Sequence, residues 1–410
     1  MENNTQLKEM IRSMVIDILQ GQKQEMASSQ PIKQAPRGQV EPGVFDTVDE
    51  AIQAAKAAQA RFEDCTLATR EKVIADIRAA MRPRVQELAQ KTVDETGMGR
   101  VADKVLKLNL TLDKTPGVED LVTECETGDN GMTLYELSAY GVIGAVTPST
   151  NPAETLICNT IGMLAAGNAV FFSVHPGAKH LSRLLVSELN QIIAKSIGIE
   201  NLIVTLREPS IESAQEMMLH PDVSLLVVTG GPGVVKQALQ SGKKVIGAGA
   251  GNPPAFVDET ADIKKAAQDI VLGASLDNNI LCIAEKSVVA MRQIEPQLVQ
   301  EMVKAGCVLL ENQQDIQRLV DLTVLPNGTP NKKFVGKNAS VILDAAHIPY
   351  NGDPRLIIMR APKNHPFAVI EMLMPILPVV TVDSFDEGLD VCLMLSLIHI
   401  SEPTRHAQIS

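Results

Sequence analysis

The feature that most constrains the fold of this chain is a regular alternation of short apolar segments with helical patterns. The apolar segments are predicted strands: Val142–Thr147, Ala169–Val174, Leu202–Thr205 and Leu225–Thr229. The segments between them have helical periodicity: Pro152–Ala166, Lys179–Lys195 and Ile211–Leu219. Strands that alternate with helices form a parallel sheet covered on both faces, and such sheets bind ligands at the carboxyl ends of their strands. The predicted fold class is therefore α/β.

A second alternating block extends from Ala255 to about Val382. Its predicted strands are Ala255–Val257, Ser287–Ala290, Val308–Leu310 and Leu356–Ile358. The glycine-rich segment Gly242–Pro254 between the two blocks is interpreted as a hinge. A chain of this length is long enough for two hydrophobic cores, so we predict two α/β domains at residues 44–242 and 243–385.

Helical segments precede the first block. A capping box at Thr47–Glu50 is predicted to start an alanine-rich helix that extends through Phe62. A further helix is expected from about Thr69 to Glu95, where Gly97 ends it. Upstream, Asn4–Gln20 has apolar residues at amphipathic spacing, and residues 21–43 have the composition of a linker.

Composition argues against several classes of protein. The formal net charge of −12 over 410 residues is unfavourable for a nucleic-acid surface. No apolar run reaches the roughly 18 residues of a membrane span, and the N-terminus is too polar for a secretory signal. The cysteines lie far apart, without the spacing of metal ligands, so we expect reduced thiols in a cytosol and no zinc site. They are Cys65, Cys125, Cys158, Cys282, Cys307 and Cys392.

One of these cysteines lies in a segment of unusual composition. Cys282 follows a polar Asp-Asn-Asn turn and precedes a lysine, within Gly273–Lys286. A thiol with an ordinary pKa of about 8.5 is only a few per cent thiolate at neutral pH, and nearby backbone N–H groups or a cofactor could lower that pKa. A lone cysteine followed by Ile and Ala is, on spacing alone, more often a small buried apolar residue. Both interpretations stay open on this ground.

Two further segments carry polar or small residues where a predicted strand gives way to a helix. Asn151, in Thr147–Pro152, precedes a helix with proline in its first turn, and from position alone it is an N-cap. The glycines of Thr229–Gly233 would let a pyrophosphate approach the N-terminus of the next helix. Turns also require glycine, so this pattern is a weak indication of function.

Taken together, several segments resemble a known family. Ala274–Lys286 and Lys243–Pro254 resemble the catalytic half of an aldehyde dehydrogenase, specifically the CoA-acylating branch found in propanediol and ethanolamine utilisation. The resemblance covers nearly everything from Val44 to Asp390. It implies an aldehyde dehydrogenase fold, with a Rossmann-like NAD-binding domain at residues 44–242 and an α/β catalytic domain at 243–385. Other segments that carry it are Glu95–Arg100, Thr115–Asp120 and Gly128–Met132.

The resemblance also implies roles for particular residues. Cys282 is then the nucleophile, and Asn151 donates to the oxyanion together with the backbone N–H of Cys282. Glu371 resembles the glutamate that binds the nicotinamide ribose hydroxyls, although without the resemblance it is equally a surface carboxylate. Hydrolytic relatives usually carry a lysine at the position of Ser173. The residues implied to contact NAD are Thr147, Pro148, Ser173, His175, Thr229, Gly230, Gly231, Gly249 and Glu371.

The substitution of one family residue indicates which acceptor takes the acyl group. Hydrolytic aldehyde dehydrogenases carry a glutamate that activates water, and Gly247 stands at that position here. Without a general base, a thiol becomes the better acceptor, which predicts that coenzyme A leaves as acyl-CoA. The predicted reaction oxidises a short aldehyde, with propionaldehyde favoured, and uses NAD⁺ and CoA. The alternatives are an acetaldehyde-preferring enzyme of ethanolamine utilisation, a hydrolytic aldehyde dehydrogenase and an inactive cargo protein.

The two ends of the chain suggest location and processing. Asn4–Gln20 resembles the tails that direct enzymes into bacterial microcompartments, which predicts a shell protein as partner and the microcompartment lumen within the cytoplasm as location. The alternative is a helix that packs on the protein's own homo-oligomer. Residues 386–410 are interpreted as a truncated end, because the family continues beyond this point. Leu395–Ser410 continues no family pattern, and we interpret it as foreign sequence such as a translated sequencing adaptor.

Overall fold

Parallel sheets organise the part of the chain that the computed structural model describes, residues 41–398. The predicted helix Asn4–Gln20, most of the predicted linker and residues 399–410 lie outside this part. In chain order the strands are β1 (Val44–Phe45), β2 (Glu124–Gly128), β3 (Gly131–Tyr135), β4 (Val142–Val146), β5 (Ala169–Ser173), β6 (Ile203–Leu206), β7 (Val223–Thr229), β8 (Lys244–Ala248), β9 (Pro254–Val257), β10 (Ser287–Met291), β11 (Cys307–Leu310), β12 (Leu356–Arg360) and β13 (Ile376–Val382).

The α-helices are numbered in the same way. They are α1 (Val48–Glu63), α2 (Leu67–Met81), α3 (Val85–Thr96), α4 (Val101–Lys114), α5 (Pro152–Ala165), α6 (Lys179–Ile197), α7 (Ile211–Leu219), α8 (Pro232–Leu239), α9 (Ile263–Ser275), α10 (Glu295–Lys304), α11 (Gln313–Thr323), α12 (Ala339–Ala345), α13 (Pro366–Val369) and α14 (Phe385–Leu395). Among the described residues, no helix is both long enough and apolar enough to cross a bilayer.

The first sheet has six strands in the order β1-β6-β5-β4-β7-β8, and every neighbouring pair is parallel. The strands predicted in the first block are confirmed to within two residues at each end. The reason is burial: β5 and β6 consist of buried residues throughout, and continuous apolar runs of this kind are typical of strands covered on both faces. Helices α1, α5 and α6 pack against these strands.

The first sheet continues past residue 243, where the domain boundary was predicted. Strand β8, at Lys244–Ala248, pairs in parallel with β7 and completes the first sheet, so the change of sheet falls between Ala248 and Pro254. Lysine and glycine have low strand propensity, which is why the segment was interpreted as a hinge. At the edge of a sheet, backbone hydrogen bonds to one neighbour are sufficient, and exposed lysines discourage further pairing.

The single helix expected from about Thr69 to Glu95 is interrupted. Helices α2 and α3 are separated by a 3₁₀ turn at Arg82–Arg84, which contains Pro83. Proline has no backbone N–H and its ring displaces the preceding turn, so the helix cannot pass through this residue unchanged. The end of α3 is as predicted, since Gly97 adopts left-handed backbone with φ of 64° and forms the C-cap.

The second sheet has five parallel strands in the order β11-β12-β13-β10-β9. Its central strand, β13, was not predicted, because Pro378 lies within it and proline is unusual in central strands. Helix α14 packs against β9, β10 and β13. Leu395, where the predicted foreign tail begins, is the last residue of this helix and is buried.

A two-stranded antiparallel hairpin, formed by β2 and β3, stands apart from both sheets. Every residue of the two strands is exposed, including Met132, Leu134 and Tyr135. Isolated hairpins are at best marginally stable in water, so this one presents apolar surface without the support of a larger sheet.

Candidate active site

Cys282 follows a turn in which consecutive residues adopt left-handed backbone. The turn comes directly after α9 in the chain. Its residues Asp277, Asn278 and Asn279 have φ values of 50°, 56° and 65°. Residues other than glycine rarely adopt this conformation, and Asp and Asn tolerate it best because their short polar side chains bond locally. A run of such residues persists only where the surroundings hold each of them, which is typical of functional sites.

Side-chain hydrogen bonds hold the second and third residues of the turn. Asn278 Nδ2 donates to the carbonyl oxygen of Gly336 and to Asn338 Oδ1, each at 2.8 Å. Asn279 Nδ2 donates to the carbonyl oxygen of Ala274 at 2.7 Å. Both asparagines are almost fully buried, so these bonds are not shared with water. The turn is therefore fixed, and with it the direction in which the chain enters Cys282.

The first residue of the turn is bound to α4 through a buried ion-pair cluster. Asp277 Oδ2 accepts from Lys104 Nζ at 3.0 Å and lies 2.6 Å from Lys107 Nζ. Asp277 Oδ1 accepts from the backbone N–H of Arg100 at 2.8 Å, and the Asp277 N–H donates to Asp103 Oδ2 at 3.0 Å. The side chains of Lys104 and Asp277 are both 0% exposed. Because a buried charge without a partner is costly, these contacts lock α4 to the turn.

The two lysines of the cluster differ in their electrostatics. Burial lowers the pKa of Lys104, and the neighbouring charge of Lys107 lowers it further. Burial also acts on Lys107, but the carboxylates of Glu154 and Asp277 outweigh it and raise the pKa of Lys107 above its ordinary value. Lys107 is therefore a fixed positive charge at neutral pH.

Asn151 occupies the N-cap position of α5, but its side chain does not cap the helix. Asn151 Oδ1 accepts a hydrogen bond from Lys107 Nζ, and Asn151 Nδ2 donates to Thr150 Oγ1 at 3.3 Å. Asn151 is thus at the N-cap position that its place in the sequence indicates, but its side chain bonds Lys107 and Thr150 and not the first amides of the helix. Within residues 41–398 no hydrogen bond joins Asn151 to Cys282 directly. Lys107 and Asp277 connect the asparagine with the turn before the cysteine.

Cys282 itself has access to solvent. The protein atoms around its sulfur nevertheless desolvate it, which raises the pKa of the thiol, and the negative charge of Glu371 raises the pKa further. The charge of Lys286 acts in the opposite direction. Burial lowers the pKa of Lys286 to about 8. The charges of Glu371 and Lys286 thus act on the thiol pKa in opposite directions.

The glycine-rich segment after β8 closes on the nucleophile segment. A Cβ atom at Gly251 would lie 2.8 Å from the carbonyl oxygen of Cys282, a distance that leaves room only for glycine. The carboxylate of Glu371 accepts from the backbone N–H of Gly251 at 3.0 Å and from that of Asn252 at 3.4 Å. Asn252 Nδ2 donates to the carbonyl oxygens of Ala368 and Leu395. Glu371, Gly251 and Cys282 therefore form one contiguous group.

The residues implied to contact NAD gather at the carboxyl edge of the first sheet. Ser173 and Thr229 end β5 and β7, and the backbone N–H of Thr147 donates to the carbonyl oxygen of Ser173 at 3.1 Å. The residues that follow β4, β5, β7 and β8 at this edge are Thr147 and Pro148, His175, Gly230 and Gly231, and Gly249. Because these strands are neighbours and parallel, the structure brings the predicted residues to one edge. Glu371 is the exception, since it lies beside the nucleophile segment.

This edge has the chemistry that a dinucleotide requires. Thr147 Oγ1 is buried and has no hydrogen-bond partner among the described residues. A Cβ atom at Gly231, directly before α8, would meet nothing within 4 Å, so the turn is open to a ligand. Burial lowers the pKa of His175, and the charge of Lys332 lowers it further. An unpaired hydroxyl and an open turn at a helix start suit a ribose and a pyrophosphate.

Comparison with known proteins identifies the family. A model described as "Aldehyde dehydrogenase family" matches residues 18–392. The chain belongs to the aldehyde dehydrogenase family.

Similar proteins lie in the acylating part of this family. The chain is 47% identical over 392 residues to the propanal dehydrogenase (CoA-propanoylating) of Salmonella typhimurium. The matched region covers 95% of this chain and 82% of that protein. It is 44% identical to the acetaldehyde dehydrogenase (acetylating) EutE of the same organism, over 87% of this chain and 77% of that one. A solved structure of Rhodopseudomonas palustris propionaldehyde dehydrogenase, with bound CoA and an acylated cysteine, is 46% identical with a TM-score of 0.85, and covers 88% of this chain and 82% of that chain.

Sequence reasoning missed Lys107 and Asp277 as parts of this site. The signals were the spacing of Lys104 and Lys107, which places two lysines on one face of a helix, and the place of Asp277 in the polar turn before Cys282. The position of Gly247 is also informative. It lies within β8, and a Cβ atom there would meet Val235 of α8 at 3.1 Å. This position carries no carboxylate that could activate water.

Proposed function

We propose that this protein is a CoA-acylating aldehyde dehydrogenase that oxidises a short aldehyde with NAD⁺ and CoA to acyl-CoA and NADH. The observation that carries the proposal is Cys282, solvent-accessible, at the end of a turn whose residues are each held in left-handed backbone. Of its charged neighbours, Lys286 favours the thiolate and Glu371 opposes it. In this proposal residues 44–248 bind NAD and residues 254–385 carry the nucleophile.

Residues of the chain supply the first half of the reaction. The Cys282 thiolate adds to the aldehyde carbon, and the C=O bond electrons move to oxygen to give a thiohemiacetal oxyanion. Asn151 Nδ2 and the backbone N–H of Cys282 donate to that oxyanion. The residues at the carboxyl edge of the first sheet would hold NAD⁺, which would supply the acceptor for the hydride that leaves the substrate carbon as its C=O bond re-forms. The acyl group then remains on Cys282 as a thioester.

The second half transfers the acyl group from one sulfur to another. The CoA thiolate attacks the thioester carbon, the bond to Cys282 Sγ breaks, and the cysteine leaves as thiolate. Two features favour this acceptor over water. Gly247 supplies no carboxylate, and the carboxylate of Glu371 is engaged with the N–H groups of Gly251 and Asn252. A thiol needs less assistance from a base than water does, because its pKa is far lower.

Propionaldehyde is the favoured substrate in this proposal. The support is the name of a relative, propanal dehydrogenase (CoA-propanoylating), which is 47% identical. The acetylating relatives, at 44% identity, support acetaldehyde as the second candidate. Steady-state kinetics with both aldehydes decides between them: a larger kcat/KM for acetaldehyde would reverse the preference.

The reaction type is tested by measuring NADH formation and acyl-CoA by mass spectrometry, with and without CoA. We expect sustained turnover only with CoA. Equal NADH formation and free acid in both conditions would identify a hydrolytic enzyme. Cys282→Ala is expected to abolish aldehyde oxidation, with Cys158→Ala, at another exposed thiol, as the matched control. Full activity of Cys282→Ala would contradict the proposal. If the unsubstituted chain has no activity, the result would favour the alternative of an inactive cargo protein.

We further propose that the protein is a cargo of a bacterial microcompartment, targeted through residues 4–20. The support is a solved relative, a propionaldehyde dehydrogenase from the Clostridium phytofermentans fucose utilisation bacterial microcompartment, which is 45% identical. Co-purification with shells is measured for the full chain and for a chain that lacks residues 2–20. Equal recovery of both would contradict the targeting role.

Homo-oligomerisation belongs to the same proposal. Its support is the exposed hairpin of β2 and β3, which presents Met132 and Leu134 to solvent. Apolar side chains grouped on such a surface are typical of contacts with another chain. Analytical ultracentrifugation of the full chain and of Met132→Lys tests it, and a monomer in both cases would contradict it.

A further inference from the structure

Oxygen atoms of three side chains surround the ammonium group of Lys107. Its Nζ atom contacts Asn151 Oδ1, lies 2.6 Å from Asp277 Oδ2, and forms an ion pair with Glu154 Oε1 at 3.1 Å. The side chain is only 7% exposed, so water does not compete for these positions. One hydrogen bond to Asn151 Oδ1, together with the ion-pair contacts to the carboxylates of Asp277 and Glu154, holds the ammonium group against the amide oxygen.

This arrangement also fixes the orientation of the Asn151 amide. An ammonium group only donates hydrogen bonds, so the amide must turn its oxygen, and not its nitrogen, towards Lys107. The Nδ2 atom therefore points away from the cluster. One of its hydrogens is bonded to Thr150 Oγ1, which leaves the second for another acceptor.

A second lysine holds the backbone beside this amide. Lys104 lies one turn earlier on the same face of α4, and its Nζ atom contacts the carbonyl oxygen of Thr150 at 3.4 Å. Both lysines share Asp277, which begins the turn before Cys282. One carboxylate thus links the element that holds Asn151 to the element that holds the cysteine.

We propose that Lys107 is the positioning residue of the oxyanion donor: its ammonium group orients and polarises the Asn151 amide so that Nδ2 donates to the substrate oxygen. The inference rests on the proposed function, in which an oxyanion forms on the substrate bound to Cys282. A hydrogen bond from a cation to the amide oxygen draws electron density from the nitrogen and makes its N–H a stronger donor. Lys107 does this without touching the substrate.

The experiment uses variants that keep the buried charge balanced. Lys107→Met alone leaves the carboxylate of Glu154 buried without its cation, which threatens folding. The parent is therefore Glu154→Gln, which keeps the contact between Lys107 and Asn151. The test variant is Lys107→Met with Glu154→Gln, which removes one positive and one negative charge. Each of the two is made with Asn151 and with Asn151→Ala.

The rate of the first NADH turnover, measured before CoA is added, reports the oxyanion step. We expect Lys107→Met to lower this rate by about 10-fold to 10²-fold when Asn151 is present, less than the roughly 10²–10³-fold loss from removing the donor itself. In the Asn151→Ala background the same change has less than about a twofold effect, because the amide it acts on is gone.

An equal loss in both backgrounds would overturn the proposal, since it would show a general structural role. No loss in either background would overturn it as well. The rate of Cys282 alkylation by iodoacetamide is measured in parallel and stays within about twofold if the turn is intact. The proposed function is tested separately, by the CoA dependence of steady-state turnover. The role of Lys107 is tested by the rate of the first turnover, so failure of one proposal can be told from failure of the other.

Discussion

The ammonium group of Lys286 donates a 2.6 Å hydrogen bond to the carbonyl oxygen of Leu281, the residue that precedes Cys282. The same group donates to the carbonyl oxygen of Asn279 at 3.0 Å, so it spans the end of the left-handed turn. Lys286 is only 3% exposed. A buried cation at this place stabilises the turn and sets the electrostatic potential at the thiol.

Opposite changes in the reactivity of Cys282 are expected for two substitutions. Glu371→Gln removes a negative charge that raises the thiol pKa, so we expect this pKa to fall. Lys286→Met removes a positive charge that lowers it, so we expect it to rise. The measurement is the pH dependence of Cys282 alkylation by iodoacetamide, followed by peptide mass spectrometry. Exposed Cys158 in the same protein is the internal control, and shifts of the same sign in both variants would disprove the assignment.

Stability is expected to depend on pH through Lys286. Its pKa is about 8 in the folded chain, against an ordinary 10.5, so between these values the unfolded chain binds a proton that the folded chain has lost. The free energy of unfolding therefore rises with pH across this window, by on the order of 3 kcal/mol relative to Lys286→Met. Urea denaturation of both proteins across the window measures the difference. Parallel stability profiles would rule out the buried lysine as its source.

Asp277→Asn is expected to destabilise the protein strongly. Asparagine tolerates the left-handed backbone at this position, but it leaves Lys104 and Lys107 with one carboxylate fewer in a dry environment. Removing one partner of a buried ion pair costs about 3–5 kcal/mol. The matched control is Asp269→Asn, whose partner Lys265 is largely exposed and for which we expect little change in urea denaturation. Similar losses in the two variants would contradict the importance of burial.

The local elements were predictable where side chains alone determine them. Buried strands such as Ala169–Ser173 and the helix Ile211–Leu219 follow from apolar runs and from helical periodicity, and the structure places both close to their predicted limits. Lys244–Ala248 was missed because its pairing comes from the neighbouring strand, not from its own composition. Ile376–Val382 was missed because a proline lies inside it.

The site could be predicted only in part, for a related reason. Cys282, Asn151 and the residues at the sheet edge are marked by local motifs, whereas the contact of Lys104 with Asp277 joins residues 173 positions apart. Nothing in the spacing of a single sequence reveals which buried lysine meets which carboxylate. The roles of Lys107 and Lys286 therefore emerge only when the two sheets and α4 are in place.

Gly251→Ala is expected to reduce activity by displacing the nucleophile segment. The added methyl carbon would lie 2.8 Å from the carbonyl oxygen of Cys282, so one of the two backbone segments must move. A shift of about 1 Å in a reacting group can cost 10²-fold in rate, and we expect a loss of about that size in kcat/KM. Gly162→Ala is the matched control. Residue 162 lies within α5 with nothing within 4 Å of the new carbon, and alanine there is expected to stabilise the helix by about 0.5–1 kcal/mol. Unchanged kcat/KM in Gly251→Ala, with folding verified by urea denaturation, would show that the glycine segment and Cys282 are not in contact during catalysis.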